Sequence, residues 1–306
     1  MKKLAIIGPT ASGKSDLAIR VAHRFNAYIL SIDSLSIYKE IDIVSAKPSK
    51  DELQSVKHFG IDALDPNKQF SVDIFINLYH SVTKICKNDE KNLIIIGGTS
   101  FYLKSLIQGL SNLPHFSDTI KQTVDIKLKS LSEAYKELSL ADPLYMKNIT
   151  PHDKYRIEKA LLIYEASGLT PTQWFKQNPP KPVIEDIDIF NIEVDRNTIR
   201  KRIKQRTQKM YEMGLIDEVC YLEQKYTRSP NAMGAIGIVE VLDYLDGKVT
   251  KDEMLELISI HTAQLAKRQQ TFNKTQFEGI VNAPLEELEE IILKYLANLK
   301  SSEISD

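Results

Sequence analysis

The chain has 306 residues, 42% of them hydrophobic and 26% charged, with a formal net charge of −1. This is the composition of one large or two modest globular domains, and with no run of about 18 apolar residues it has no transmembrane helix. Cys86 and Cys220 stand far apart without metal-ligand spacing, as expected of free thiols in a reducing cytosol.

MKKLAIIGP has two lysines and an apolar run too short for a signal peptide, so it is read as a first strand entering a glycine loop. That loop, GPTASGKS, comprises Gly8, Pro9, Thr10, Ala11, Ser12, Gly13, Lys14 and Ser15. It has the G-x-x-x-x-G-K-S pattern of a nucleotide-binding, ATP-type loop. Its backbone N–H groups converge on phosphate oxygens, the following helix adds the positive end of its dipole, Lys14 adds a full charge, and the Ser15 hydroxyl can hold a magnesium ion. Residues 13–25 then read as a helix, AYILSID (27–33) as a strand, 70–86 as a helix, NLIIIGG (92–98) as a buried strand and TSFYLKSLIQG as a helix.

From residue 113 to 182 strand-type runs give way to helical segments ending in NPPKP. DIDIFNIEVD (186–195) restores a strand, RNTIRKRIKQRTQK (196–209) is a helix with seven basic and no acidic side chains, and further helices, a strand-like FEGIVNA and an amphipathic last helix, PLEELEEIILKYLANLK, follow. The expected fold is α/β: a P-loop NTPase-like parallel sheet flanked by helices, made of residues 1–112 and 183–306, with residues 113–182 as a helical insertion domain. The patchy charge can make a phosphate-binding surface on a near-neutral protein.

The carboxylates are placed unusually. Enzymes that cleave triphosphates commonly carry a metal-holding aspartate at the end of a second strand. Here NLIIIGGTS ends in Gly97, Gly98 and Thr99, and it is the 27–33 strand that ends in a carboxylate, Asp33. Asp33 can be a turn or helix-cap residue, or a functional group at the C-terminal sheet edge where ligands bind in open α/β sheets.

Taken in order, GPTASGKS, DSLSIYKEIDIVSAKP, GGTSFYL after a buried strand, and AKRQQTF near the end resemble the bacterial tRNA dimethylallyltransferase family, also called the isopentenyl-diphosphate:tRNA transferases. The likeness spans residues 4 to about 280, including the helical insertion. It implies transfer of a dimethylallyl group from dimethylallyl diphosphate to the exocyclic amine (N6) of the adenosine just 3′ of the anticodon, in tRNAs reading codons that begin with U. By the same resemblance Asp33 is the general base, Thr99 hydrogen-bonds near the reacting centre, and an arginine of the basic helix, Arg202 in preference to Arg206, meets the diphosphate. It implies Mg2+ at Ser15, and tRNA contacts from Asp33, Ser34, Leu35, Ser36, Thr99, Tyr155, Arg156, Lys159, Lys267, Arg268 and Gln269. The anticodon stem-loop offers unstacked bases, and the target base would flip into an enclosed channel. The resemblance implies a cytoplasmic enzyme; a monomer is expected because tRNA must reach an open face.

The sequence departs from the family pattern at Ser36, Val44, Ser45, Ile238, Ala263, Phe272 and Lys274. These positions lie mostly in expected tRNA contacts. Other readings are a P-loop small-molecule kinase, a prenyltransferase acting on free adenine nucleotides, and a nucleotide-binding regulatory or RNA-binding protein. The basic helix and absent aspartate oppose the first, the insertion and AKRQ the second, and the intact set Lys14, Ser15, Asp33 and Thr99 the third.

Overall fold

A computed structural model describes residues 1–303, with side chains through 298. Residues 304–306 of the expected second core segment lie outside the described residues. Two compact units result. One comprises Met1–Lys104 with the chain from Ile184 onward, and the other Ser105–Val183. The helical unit therefore begins inside the helix after the GGT turn, rather than after Asn112.

The core unit begins with β1 (Lys3–Ile7), α1 (Lys14–Phe25), β2 (Ala27–Ser31), α2 (Lys50–Ser55), β3 (His58–Phe59), α3 (Val72–Asn88) and β4 (Asn92–Gly97). α4 (Ser100–Gln108) crosses into the helical unit, which holds α5 (Asp118–Lys127), α6 (Leu131–Ala141), α7 (Pro143–Met146), α8 (Lys154–Ser167) and α9 (Pro171–Gln177). The core resumes with β5 (Asp188–Ile192), α10 (Arg196–Glu212), α11 (Leu215–Tyr226), α12 (Ile238–Leu245), α13 (Lys251–Gln276), β6 (Val281–Ala283) and α14 (Leu285–Glu303).

The six strands form one sheet in the order β3-β2-β4-β1-β5-β6, every pair parallel. Helices on both faces require strands that are apolar on both faces. Leu4, Ala5, Ile6 and Ile7 of β1 and Leu93, Ile94 and Ile95 of β4 accordingly have no exposed surface. One core joins β1, β4 and β5 to Leu17 and Val21 of α1 and Leu288 and Ile292 of α14. A second packs Ile37, Ile41 and Val44, from the stretch after β2, under Leu215, Val219 and Ile238. The two-residue β3 lies in a stretch with no strand pattern of its own; it pairs with β2 through Ile29 and Leu30.

The helical unit has its own core of Val124, Leu138, Ile157 and Leu161. Within it the Trp174 indole N–H donates to the Asn112 carbonyl at 2.8 Å, and buried Asp142 accepts from the Thr172 amide and hydroxyl, both at 2.7 Å.

Phe190 is 2% exposed and joins the central strands to α14, with its ring 5.6 Å from that of Tyr295. Phe190→Ala is expected to cost roughly 3–5 kcal/mol, read as a lower urea midpoint at unchanged slope.

Candidate active site: a phosphate loop clasped by two helices

β1 runs into the loop and α1 starts at Lys14, so the amides of residues 13–15 belong to a helix N-terminus and have no intrahelical acceptors. Gly13 has φ +90°, a left-handed conformation that L side chains rarely adopt, and this turns the chain into the helix. The Ser12 hydroxyl is fully buried without a partner, a polar atom held inside the loop.

Lys14 folds back, its Nζ donating to the Pro9 carbonyl at 3.1 Å. Protein closes around the ammonium although the residue keeps some surface. That desolvation, partly opposed by the Asp33 carboxylate and reinforced by Arg206, lowers its pKa to about 8.

Two arginines one helical turn apart on α10 reach the loop. Arg202 Nη1 donates to the Ser12 carbonyl at 3.3 Å. Arg206 lies deeper: its Nη1 donates to Thr10 Oγ1 at 3.0 Å and its Nη2 to the Ser45 carbonyl at 3.5 Å. Burial lowers the pKa of its guanidinium, with Asp33 opposing. Of the two, Arg206 shares the electrostatic environment of Lys14 and Asp33. Periodicity puts both on one face and does not carry this difference in depth, while Arg202, the residue preferred from the sequence, also reaches the loop.

Asp33 follows β2. Its Oδ1 accepts from the amides of Leu35 (2.9 Å) and Ser36 (3.2 Å), an Asx-type turn. Its Oδ2 has no hydrogen-bond partner among the described residues. The turn role and an available carboxylate oxygen thus coexist. Thr99 Oγ1 donates to Ser34 Oγ at 3.4 Å, joining the ends of β2 and β4. The sheet order explains where the carboxylate sits. β4 is the immediate neighbour of β1, pairing Ile7 with Gly97, while Asp33 follows β2, the next strand out. The position beside the loop is backbone and hydroxyl.

The remaining predicted residues divide. Ser34 is exposed, Leu35 packs against the second core, and Ser36 is buried with its hydroxyl 3.2 Å from that of Ser31. Ser15 is exposed at the first turn of α1. Lys267 and Arg268 are exposed on α13, whereas Gln269 turns inward and accepts from the Thr10 amide at 2.8 Å. In the helical unit, Tyr155 is 69% exposed on α8, the Lys159 ammonium lies 5.5 Å from its ring centre, and Arg156 pairs with Asp153 at 3.5 Å.

Two positioning groups escaped sequence reasoning. Lys47, its side chain 5% exposed, donates to the Tyr38 carbonyl and to Asp42 and Asp62, each at 2.6 Å. Glu218 of α11 accepts from the amides of Asp42, Ile43 and Val44 at 2.7–2.9 Å. Together they fix the turn that presents the Ser45 carbonyl to Arg206. Lys47 lay in plain view in the SAKP stretch; Glu218 carried no local signal, because its partners are 174–176 residues away.

A groove of about 1910 Å³ opens beside the loop, lined by Ala11, Gly13, Arg202 and Arg206 with Ala263 and Gln270 of α13. Arg196, Arg200, Lys201, Lys204 and Lys209 line the exposed side of α10 and make no ion pair among the described residues. The surroundings of Asp33 thus hold an excess of enclosed positive charge, which favours a multiply charged anion.

A family model described as IPP transferase matches residues 36–276. The chain belongs to the IPP transferase family. It is 66% identical, over 97% of its length and all of the relative's, to a protein of Sulfurimonas denitrificans named tRNA dimethylallyltransferase. It is 54% identical to one of the same name from Sulfurovum sp., over 96% of this chain and 98% of that one. Among solved structures it is similar to the full-length tRNA isopentenylpyrophosphate transferase of Bacillus halodurans, with a TM-score of 0.72 and 27% identity over 99% of both chains. A eukaryotic dimethylallyltransferase described as acting on tRNA shares the fold, with a TM-score of 0.82 at 22% identity over 94% of this chain and 75% of that chain. No helix among the described residues is long and apolar enough to cross a membrane.

The lowered Lys14 pKa sets a pH dependence. An ammonium that is charged below about 8 and neutral above it attracts anions on the acid side only. Affinity for inorganic diphosphate, measured by calorimetry, should therefore fall as pH rises through about 8. Lys14→Arg should remove that inflection, because guanidinium stays charged.

Proposed function

We propose that this chain transfers the dimethylallyl group of dimethylallyl diphosphate to N6 of the adenosine 3′-adjacent to the anticodon, in tRNAs reading codons that begin with U. The carrying observation is the convergence of Lys14, Arg206 and the loop amides beside Asp33, whose Oδ2 is unengaged. Membership of the family and the shared name of the close relatives support the same reading.

An exocyclic aryl amine is a weak nucleophile because its lone pair is delocalised into the ring. In the proposed step N6 attacks the first carbon of the dimethylallyl group and the carbon–oxygen bond to diphosphate breaks. The amine proton passes to Asp33 Oδ2, and diphosphate departs. Charge builds on the diphosphate as the bond opens. The loop amides, Lys14 and Arg206 lie in enclosed surroundings and are proposed to stabilise that charge, Lys14 exchanging its bond to the Pro9 carbonyl for the anion. Arg202, bonded to Ser12, supports the far side of the loop. Thr99, joined to Ser34, holds the β2 and β4 ends at the spacing the base requires.

Magnesium fits the donor set. No trio of His, Cys, Asp or Glu among the described residues could form an all-protein cage. An exposed hydroxyl next to a phosphate loop suits an ion held largely by diphosphate oxygens, with Ser15 as the protein ligand. Bound there, it would neutralise charge on the leaving diphosphate.

Tyr155, Arg156 and Lys159 on the helical unit, and Lys267 and Arg268 on α13, are proposed to contact the anticodon stem-loop of a tRNA bound to the monomer. Their exposure, together with the unpaired cations of α10, supplies the stacking and phosphate chemistry that RNA requires. Such a reaction belongs in the cytoplasm. The kinase reading fares worse, because the strand beside β1 ends in Gly97 where a metal-holding carboxylate would be expected. Prenylation of free adenine nucleotides leaves the whole helical unit without a use.

The test combines magnesium, labelled dimethylallyl diphosphate and unmodified tRNA whose anticodon ends in adenosine. Label should enter the tRNA. Asp33→Asn retains an acceptor for the Leu35 and Ser36 amides, yet should lower transfer at least about 100-fold. It should leave diphosphate affinity unchanged or tighter, since a negative charge has gone. No label in tRNA together with ATP-dependent phosphorylation of a metabolite would overturn the reading.

A further inference from the structure

Gln269 lies next to two exposed cations on α13, in the segment whose resemblance implies contact with tRNA. Its side chain does something else. Its Oε1 accepts from the backbone N–H of Thr10 at 2.8 Å, inside the phosphate loop. Thr10 is held from the opposite side as well, its hydroxyl accepting from Arg206 Nη1 at 3.0 Å. One loop residue is thereby clasped by α13 through its amide and by α10 through its hydroxyl.

The space for Gln269 is built in. A Cβ on Gly98 would lie 2.3 Å from Gln269 Nε2 and 3.0 Å from its Cδ, and the three nearest atoms to that Cβ all belong to Gln269. Gly98 does not have the left-handed backbone that would by itself demand glycine. The steric obstacle to a side chain there is the glutamine. The same stretch of α13 is anchored twice more, Gln270 Nε2 donating to the Val194 carbonyl and Asn273 Nδ2 to Asn191 Oδ1, each at 2.9 Å. The helix therefore cannot shift to free Gln269 without breaking these bonds, the second of them buried.

We propose that Gln269 is a positioning residue for the diphosphate site: it fixes the Thr10 end of the loop so that the following amides already converge before the anion arrives, and Gly98 exists to admit it. This rests on the transfer reaction proposed above. A loop lacking this acceptor keeps its residues but samples open forms, and the diphosphate must then order it on binding. The cost falls on the diphosphate donor and not on tRNA.

The experiment is a mutant cycle read in two substrates. Gln269→Ala should raise the donor KM about tenfold and weaken inorganic diphosphate binding by a similar factor, with the tRNA KM within about twofold. Gly98→Ala, which displaces the glutamine without removing it, should do the same. The double variant should be no worse than Gln269→Ala alone, because the truncated side chain leaves room for the new Cβ. A raised tRNA KM with an unchanged donor KM would overturn the proposal, making Gln269 a tRNA contact. Additive costs in the double variant, or loss of the folded circular-dichroism signal in both single variants, would overturn it too. If the wild-type enzyme transfers no label, the proposed reaction fails instead, and calorimetry with inorganic diphosphate still decides the role of Gln269.

Discussion

The phosphate loop has polar groups engaged by helices outside it, and the engagement converges on Thr10. Arg206 takes its hydroxyl and Gln269 its amide. Arg206 can do so because the Ser45 carbonyl receives its other nitrogen, and Ser45 is in place because Glu218 and Lys47 pin the turn before it. α10 in turn packs on α13 through Ile199, Ile203 and Ala266. The sheet contributes the fixed frame: β1 delivers the loop, β4 beside it ends in backbone and hydroxyl, and β2 carries the carboxylate one strand further out.

This arrangement differs from that of a triphosphate-splitting site, because the strand beside β1 ends without a carboxylate. Two enclosed cations face a single carboxylate, an excess of positive charge that a bound anion would offset. The carboxylate is the group proposed to take the proton. That division of labour, anion at the loop and proton at Asp33, is what a substitution with diphosphate as leaving group requires.

Much of this was legible in the sequence, and the illegible parts share a cause. Strong local patterns, such as KKLAII before a glycine loop or NLIIIGG, carry their own periodicity and placed β1, α1, β2, α3, β4 and β5. The two-residue β3 exists only as a pairing with β2 and has no pattern to read. In the site, Lys14, Asp33 and Thr99 stood out because motif spacing ties them to adjacent strand ends. Arg202 was preferred to Arg206 from the sequence, where depth could not be read, since depth depends on what α10 packs against. Gln269 was read with its exposed neighbours because a helix face rotates by about 100° per residue, and one step in sequence separates groove from core.

The departures from the family pattern find physical places. Ile238 and Val44 are buried together in the second core. Ala263 packs against the α10–α13 cluster. Phe272 lies 6.2 Å ring to ring from Phe277, with the Lys104 ammonium 6.0 Å above it. Ser45 acts through its carbonyl, which any residue supplies. Nothing in the structure explains Lys274, which is exposed. None of these positions lies in the loop or at Asp33 or Thr99.

The loop is proposed to receive diphosphate as a leaving group. The most direct measurement of this is the fate of the phosphorus in a single turnover with radiophosphorus-labelled dimethylallyl diphosphate and tRNA. The account predicts one equivalent of intact diphosphate for each adenosine prenylated, and no phosphoryl transfer when ATP is offered in its place. Release of orthophosphate in step with prenylation, or ADP formed together with a phosphorylated acceptor, would contradict it.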